Sequence, residues 1–407
     1  MGKCDRWVLS LTVLLVIFGA LMIYSTTSVV TPVLARKGVS EFFYFKRHLF
    51  TILMGFSFMC IAYFLKPAFI KKMAIPLLII SFLLLLLVFI PNIGVTASGA
   101  RRWIRLWPST FQPSELVKLS MVIFLAKYIS LPDYRQNSLL SFMIPVGVMI
   151  VFQIAILMQP DFGAAMSLAF LTFSMIYLSG VRFKYIASLS ILAITAVIIL
   201  IMEPYRLRRI TSFLNPWEDP LDSGFQLVQS FIALGSGGLG GLGLGSSRQK
   251  LAYLPEPHTD FIFSIIGEEF GFIGVSLVIV AFVLLFVRGI FIANRTKNGF
   301  LYYLASGISL MVSLQALINF AVATGMVPTK GLPLPFVSYG GSSLLVNMMA
   351  MGILLRISRG DEDEKIAETD RNIIVRKKAR RTLYGASYPG KTAEGELSDG
   401  FTRPRSL

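Results

Sequence analysis

The sequence predicts an all-α integral membrane protein, a bundle of about ten transmembrane helices. Three observations carry that prediction. Only 15% of the 407 residues are charged while 55% are hydrophobic, whereas soluble domains carry about 25% charged residues. The mean hydropathy is +0.70. Apolar runs of about twenty residues recur along the chain, each long enough to cross a hydrocarbon core of about 30 Å as a helix, and none alternates with the period of two that a barrel strand requires.

The first run, 7–27, follows Lys3 and Arg6 as a signal peptide would. It is too long for a signal core and no small-x-small cleavage site follows, so a retained signal-anchor helix is expected. Further spans are expected at 46–65, 73–91, 113–131, 139–158, 161–180, 183–203, 260–288, 300–325 and 336–356. "QPD" (Gln159 to Asp161) forms a corner between the fifth and sixth, where Asp161 suits a helix cap or a functional acid. The longest loop, 204–259, starts polar and becomes glycine-rich in "GSGGLGGLGLGSS" (Gly235 to Ser247). That segment lacks the Gly-Lys-Ser/Thr ending of a phosphate-binding loop, so neither nucleotide chemistry nor nucleic-acid binding is expected. Its glycines suit a close-packed or flexible re-entrant segment. Residues 1–356 are read as one membrane domain, with 357–407 as a charged tail expected to be disordered. The "RKKARR" run (Arg376 to Arg381) within it is read as a solvated segment or a contact for anionic membrane lipids.

An even number of spans puts both termini on one side, and the twelve Lys/Arg from Arg356 onward argue that this side is the cytoplasm. The short loops add no bias. Arginines cluster on the outside, in "GARRWIRLW" (Gly99 to Trp107) and "YRLRR" (Tyr205 to Arg209). Basic residues kept outside point to an anionic ligand at the outer face; headgroup anchoring or an inverted topology are the alternatives.

Ionisable groups at membrane depth are functional candidates. Glu115 and Lys118 in "QPSELVKL" (Gln112 to Leu119) share one helix face at i,i+3, as a self-satisfied ion pair or a working one. Glu268 and Glu269 lie about 12 Å below Asp260 at the helical rise of 1.5 Å per residue, with Glu268 nearer to the face of Asp260. One of the two glutamates is expected to brace the bundle. Asp260 stands just before an apolar run and suits a helix cap, a chemical group, or both. Two cysteines and two histidines, far apart, provide neither a disulfide framework nor a zinc site.

The segments "QPSELVKL", "QPDFGAA", "FLNPWEDPLDSGFQLVQS", "GLGLGSSRQKLAYLPEPHTDFIFSIIGEEFGFIG" and "GLPLPFVSYGGSSLL" occur in this order, and with them the chain resembles the SEDS family (shape, elongation, division and sporulation) over residues 7–356. The short stretch between Gly240 and Leu254 and the "SYGGSSLL" form resemble its cell-division branch. The resemblance implies a ten-helix peptidoglycan glycosyltransferase of the bacterial cytoplasmic membrane, active at the division septum. It would polymerise lipid II, an undecaprenyl-pyrophosphate-linked disaccharide-pentapeptide, beside a class B penicillin-binding protein and other divisome membrane proteins. It also implies that Asp260 is the catalytic residue, and that Arg101 or Arg102, Glu115 and Lys118 are functionally sensitive. Arg206, Arg209, His258 and Glu268 complete the expected substrate-binding set. A divalent cation, magnesium or manganese, is implied without named ligands, and no organic cofactor. The chemistry agrees: a pyrophosphate leaving group needs charge neutralisation more than a general acid, and one carboxylate can serve as base to a sugar hydroxyl. A lipid II flippase, a proton-coupled transporter relaying through Glu115, Lys118 and Glu268, and a division scaffold are the competing readings.

Overall fold

The computed structural model describes residues 4–27, 43–97, 100–106, 109–136, 138–188, 213–220, 224–249, 259–328 and 331–360. Six helices lead: α1 (Arg6–Thr27), α2 (Phe43–Phe64), α3 (Pro67–Leu87), α4 (Pro113–Ile129), α5 (Leu139–Leu157) and α6 (Phe162–Leu178). Four follow: α7 (Phe225–Ser236), α8 (Ile262–Arg295), α9 (Gly299–Ala323) and α10 (Gly341–Ser358). Seven of these are long and apolar enough to cross a membrane. The two shorter candidates for spans, α4 and α6, have 17 residues each, or about 26 Å at the helical rise. Most of the expected span at 183–203 and the whole tail from 361 lie outside the described residues.

α9 is the hub, packed against α8, α4, α6 and α10. α10 also pairs along its length with α2, where Gly352 lies against the Met59 carbonyl and Gly55 against Met348. Small residues of this kind let helices approach closely where lipid offers no hydrophobic drive. α3 lies on α4 and α5 on α6. At one end of the bundle the Asp5 carboxylate caps α1 at Val8 N, 3.1 Å, and pairs with Arg288 near the end of α8. The Asp5 amide donates to Ser358 Oγ at the end of α10, 3.0 Å. The chain therefore enters and leaves the described bundle at one face.

Two elements are additions to the sequence reading. Between α3 and α4 the chain forms an antiparallel sheet, β1 (Gly94–Ala97), β2 (Ala100–Leu106) and β3 (Ser109–Phe111), in the order β1-β2-β3. The second is α7, inside the segment read as a loop, joined to α8 by buried hydroxyls. Ser230 Oγ meets Ser264 Oγ at 2.6 Å and donates to the Ala323 carbonyl at 2.7 Å.

α8 is broken at Gly271, whose φ of 64° and ψ of −162° interrupt the helix. A break at membrane depth leaves carbonyls above it and amides below it without helical partners. The glycine-rich segment after α7 supplies four bonds to these groups. Leu242 N and Gly243 N donate to the Glu268 and Glu269 carbonyls at 2.9 and 3.0 Å. Phe272 N and Ile273 N donate to the Gly238 and Leu239 carbonyls at 2.9 and 3.2 Å. Such backbone-to-backbone contact excludes side chains: a Cβ on Gly237 would lie 1.8 Å from the Gly267 carbonyl oxygen. The expectation of a close-packed glycine segment takes this specific form.

Two tests follow from the packing. Gly237→Ala should destabilise the purified protein by about 1–3 kcal/mol, the scale of overpacking, whereas Gly240→Ala, with nothing within 4 Å of its added carbon, should melt like wild type. Equal melting temperatures for both would mean that the close backbone contact at Gly237 does not stabilise the fold. A cysteine at exposed Glu218, in a background without Cys4 and Cys60, should react with an impermeant maleimide on intact spheroplasts. Labelling only after lysis would place that segment in the cytoplasm.

Candidate functional site

The site grows from a buried ion pair. Pro113 at the first turn starts α4, and the i,i+3 spacing brings Glu115 and Lys118 onto one face, as the sequence predicts. Lys118 Nζ donates to Glu115 Oε1 at 2.8 Å and to Gln315 Oε1 on α9 at 2.9 Å. Glu115 and Lys118 are 2% and 3% exposed, so the ammonium is closed off between two acceptors. Gln315 then donates to the Pro333 carbonyl at 3.0 Å and to Ser343 Oγ at 2.9 Å. Through this one amide the ion pair holds both the segment 331–340 and the start of α10.

A second group gathers at the α5–α6 corner. Asp161 caps α6, accepting from Ala164 N at 3.1 Å, and its other oxygen accepts from Gln112 Nε2 at 2.9 Å. β2 is bulged at Arg102, since Val95 stands opposite Trp103 and Thr96 opposite Arg101; Arg102 is half-buried and Ile104 buried, while Arg101 and Arg105 are exposed. Arg102 donates to the Gln159 carbonyl at 3.2 Å and to the Pro160 carbonyl, with its guanidinium 3.9 Å from Asp161 Oδ1. Arg102 therefore faces the Asp161 carboxylate, whereas Lys118 is held by Glu115 and Gln315. The basic side chains left facing outward on β2 are Arg101, which donates to the Phe89 carbonyl at 3.4 Å, and Arg105.

Asp260 stands at the turn before α8, beside α9. α8 starts at Ile262 with Phe261 in the capping position and no side-chain cap, so Asp260 stands one residue ahead of the cap. The expectation that it caps the helix is corrected on that point. Its half-buried turn is fixed from α9: Asn319 Nδ2 donates to the Asp260 carbonyl at 2.9 Å and to the Leu332 carbonyl at 2.8 Å. Gly331 lines the carboxylate so closely that a Cβ there would lie 2.8 Å from Asp260 Oδ2. Gln112 N donates to Ser342 Oγ at 2.8 Å, which ties the Asp161 corner to α10 as well. Arg102, Asp161, Gln112, α10, Gln315 and Asn319 thus form a continuous polar belt ending at Asp260.

Glu268 belongs to a different group. It accepts from Ser247 Oγ, from Arg248 N at 2.9 Å and from Gln249 N at 3.4 Å. Its carboxylate braces the glycine-rich segment instead of joining Asp260. Glu269 accepts from Ser25 Oγ on α1 at 2.7 and 2.9 Å. Arg206, Arg209 and His258 lie outside the described residues. Among the described residues no three His, Cys, Asp or Glu side chains cluster as metal ligands, and Asp260 is the belt's one carboxylate at the turn before α8. The sequence reading passed over Gln315, Asn319 and Gly331. The signal for the first two was present, as amides four residues apart in an otherwise apolar span.

Comparison with known proteins bears on this arrangement. The family model described as "Cell cycle protein", for FtsW, RodA and SpoVE, matches residues 5–363. A Geobacter protein named "Probable peptidoglycan glycosyltransferase FtsW" is 44% identical over 87% of this chain and 96% of its own length. Stage V sporulation protein E of Bacillus subtilis is 41% identical, over 87% of this chain and 97% of that one. Among solved structures, one from a peptidoglycan synthase complex that coordinates polymerization and crosslinking is 30% identical, with a TM-score of 0.71 over 88% of this chain and 98% of that chain. The rod shape determining protein RodA of Thermus thermophilus is 27% identical with a TM-score of 0.65, covering 88% of this chain and 97% of that chain.

The ion pair gives a direct stability test. Lys118→Met strands a buried carboxylate and should cost about 3–5 kcal/mol. Adding Glu115→Leu should recover most of that loss in a thermal melt, because the pair then leaves as a unit. A double variant no more stable than Lys118→Met would mean that the two charges are not a coupled pair.

Proposed function

The chain belongs to the FtsW/RodA/SpoVE family of cell cycle proteins, and on that premise we propose that it is a peptidoglycan glycosyltransferase polymerising lipid II, with Asp260 as the catalytic base. The observation that carries the assignment is the placement of Asp260. Its carboxylate stands at the start of α8, walled by Gly331 and fixed through its main chain to α9. The names of the relatives, peptidoglycan glycosyltransferases among them, supply the reaction. The position of Asp260 beside Gly331 and α9 supports its choice as the base.

In the proposed reaction Asp260 takes the proton from the acceptor sugar hydroxyl as that oxygen forms the new glycosidic bond. The bond from the donor's anomeric carbon to pyrophosphate breaks, and the lipid pyrophosphate leaves with the electron pair. A pyrophosphate is already a good leaving group, so the chain needs positive charge near it more than a second acid. Arg101 and Arg105 on the outer face of β2 are placed to offer that charge, with Arg206 and Arg209 of the next basic cluster as further contributors. The Glu115–Lys118–Gln315 group, closed to solvent, serves as the frame that holds α10 and the segment 331–340. A proton relay through Glu115, Lys118 and Glu268 finds little support, because Glu268 is held in a separate hydrogen-bonded group.

The protein is a multi-pass membrane protein. We assign both termini to the cytoplasm, the start of α8 to the outer face, the working site to the division septum, and a class B penicillin-binding protein as the cross-linking partner, with other divisome membrane proteins beside it. The division role fits the FtsW relatives.

Asp260→Asn keeps the size and outline of the side chain and one acceptor oxygen, but cannot take a proton at this step. Purified with its cognate penicillin-binding protein and given lipid II, this variant should form no glycan polymer on a gel while retaining wild-type melting behaviour. Near-normal polymer would remove Asp260 as the base.

A further inference from the structure

The turn that carries Asp260 and the segment 331–340 facing it are both non-helical. Backbone of that kind keeps its place among membrane helices only when neighbouring groups satisfy it. One side chain serves both. Asn319 on α9, 1% exposed, donates from its single Nδ2 to the Asp260 carbonyl at 2.9 Å and to the Leu332 carbonyl at 2.8 Å.

Two carbonyl acceptors fix the orientation of the amide, since a flipped amide would turn its own oxygen toward both of them. The fixed orientation leaves Asn319 Oδ1 buried without a partner among the described residues. An apolar side chain would not carry that penalty. The neighbouring amide cannot substitute for it, because Gln315 spends its bonds on Lys118, Pro333 and Ser343. Asn319 acts on Asp260 by two routes. It grips the main chain directly, and through Leu332 it sets Gly331, which lies so close to the carboxylate that a Cβ there would meet Asp260 Oδ2 at 2.8 Å and displace it.

We propose that Asn319 is the positioning residue for Asp260, holding the carboxylate within reach of the acceptor hydroxyl without itself touching substrate. The inference rests on Asp260 being the base. Misplacing a reacting group by an ångström costs rate far more than it costs substrate affinity, so the signature is a fall in kcat at constant KM.

The test uses full-length protein purified with its cognate class B penicillin-binding protein. Initial rates are measured over a range of lipid II concentrations and normalised to monodisperse, folded enzyme. Asn319→Leu keeps the branched heavy-atom outline and removes both donors, and should lower kcat by roughly tenfold to a hundredfold with KM within about twofold of wild type. Asn319→Ser, whose hydroxyl can donate one bond, should fall between the two, and it decides the matter by the same kcat criterion if the leucine variant does not fold. A kcat within about twofold of wild type for the folded leucine variant, or a loss confined to KM, would overturn the proposal. Asp260→Asn in the same assay separates the two readings. If it is inactive while Asn319→Leu behaves like wild type, only the positioning role falls. If it polymerises normally, the assignment of the base falls and the positioning role falls with it.

Discussion

Every backbone amide and carbonyl at membrane depth must find a partner within the protein, and much of this structure follows from where the chain breaks its helices. It does so at Gly271 inside α8, in the turn before α8, and along 331–340 before α10. Each break releases backbone groups that lipid cannot satisfy. At Gly271 the partners are the backbone of the glycine-rich segment. At the other two they are side-chain amides on α9. The same demand thus explains a run of glycines in one place and two isolated amides in another.

α9 can serve because it is central, touching α8, α4, α6 and α10. Gln315 and Asn319 are one turn apart, so both face the segment 331–340. Gln315 looks back to the Lys118 ammonium and Asn319 forward to the Asp260 turn. A charge pair that would be a weak stabiliser if judged by Coulomb attraction alone thereby becomes a fixed point for loop geometry. The energetic asymmetry matters here. The intact pair is close to neutral, but losing one member leaves a bare charge in the core. The arrangement resists drift because its alternatives are so unfavourable.

The acidic groups divide by role through their partners. Asp161 and Glu268 both accept backbone amides, Glu269 accepts a hydroxyl from α1, and Glu115 holds Lys118. Four carboxylates are engaged in holding helices and loops together. Asp260 differs in its surroundings, half-buried on a turn with a glycine as its wall.

The sequence by itself determined the class of the protein and most of its spans, because an apolar run of membrane-crossing length has few options other than a helix. It also determined what lies within one helical turn: the Glu115–Lys118 pair and the Asp161 cap depend on residues three apart and appear as expected. The sheet at 94–111 and α7 went unread, since neither is long enough to register as a span and both are completed by packing. Only the tertiary structure decided the rest. It assigned Glu268 to the glycine-rich segment, turned Arg102 inward and left Arg101 and Arg105 outward, and set Gly331 and Asn319 around Asp260. Those contacts join residues that are tens to hundreds of positions apart. Local propensity and hydropathy report on neighbours along the chain, whereas a carboxylate's surroundings are set by which distant backbone groups must be satisfied beside it.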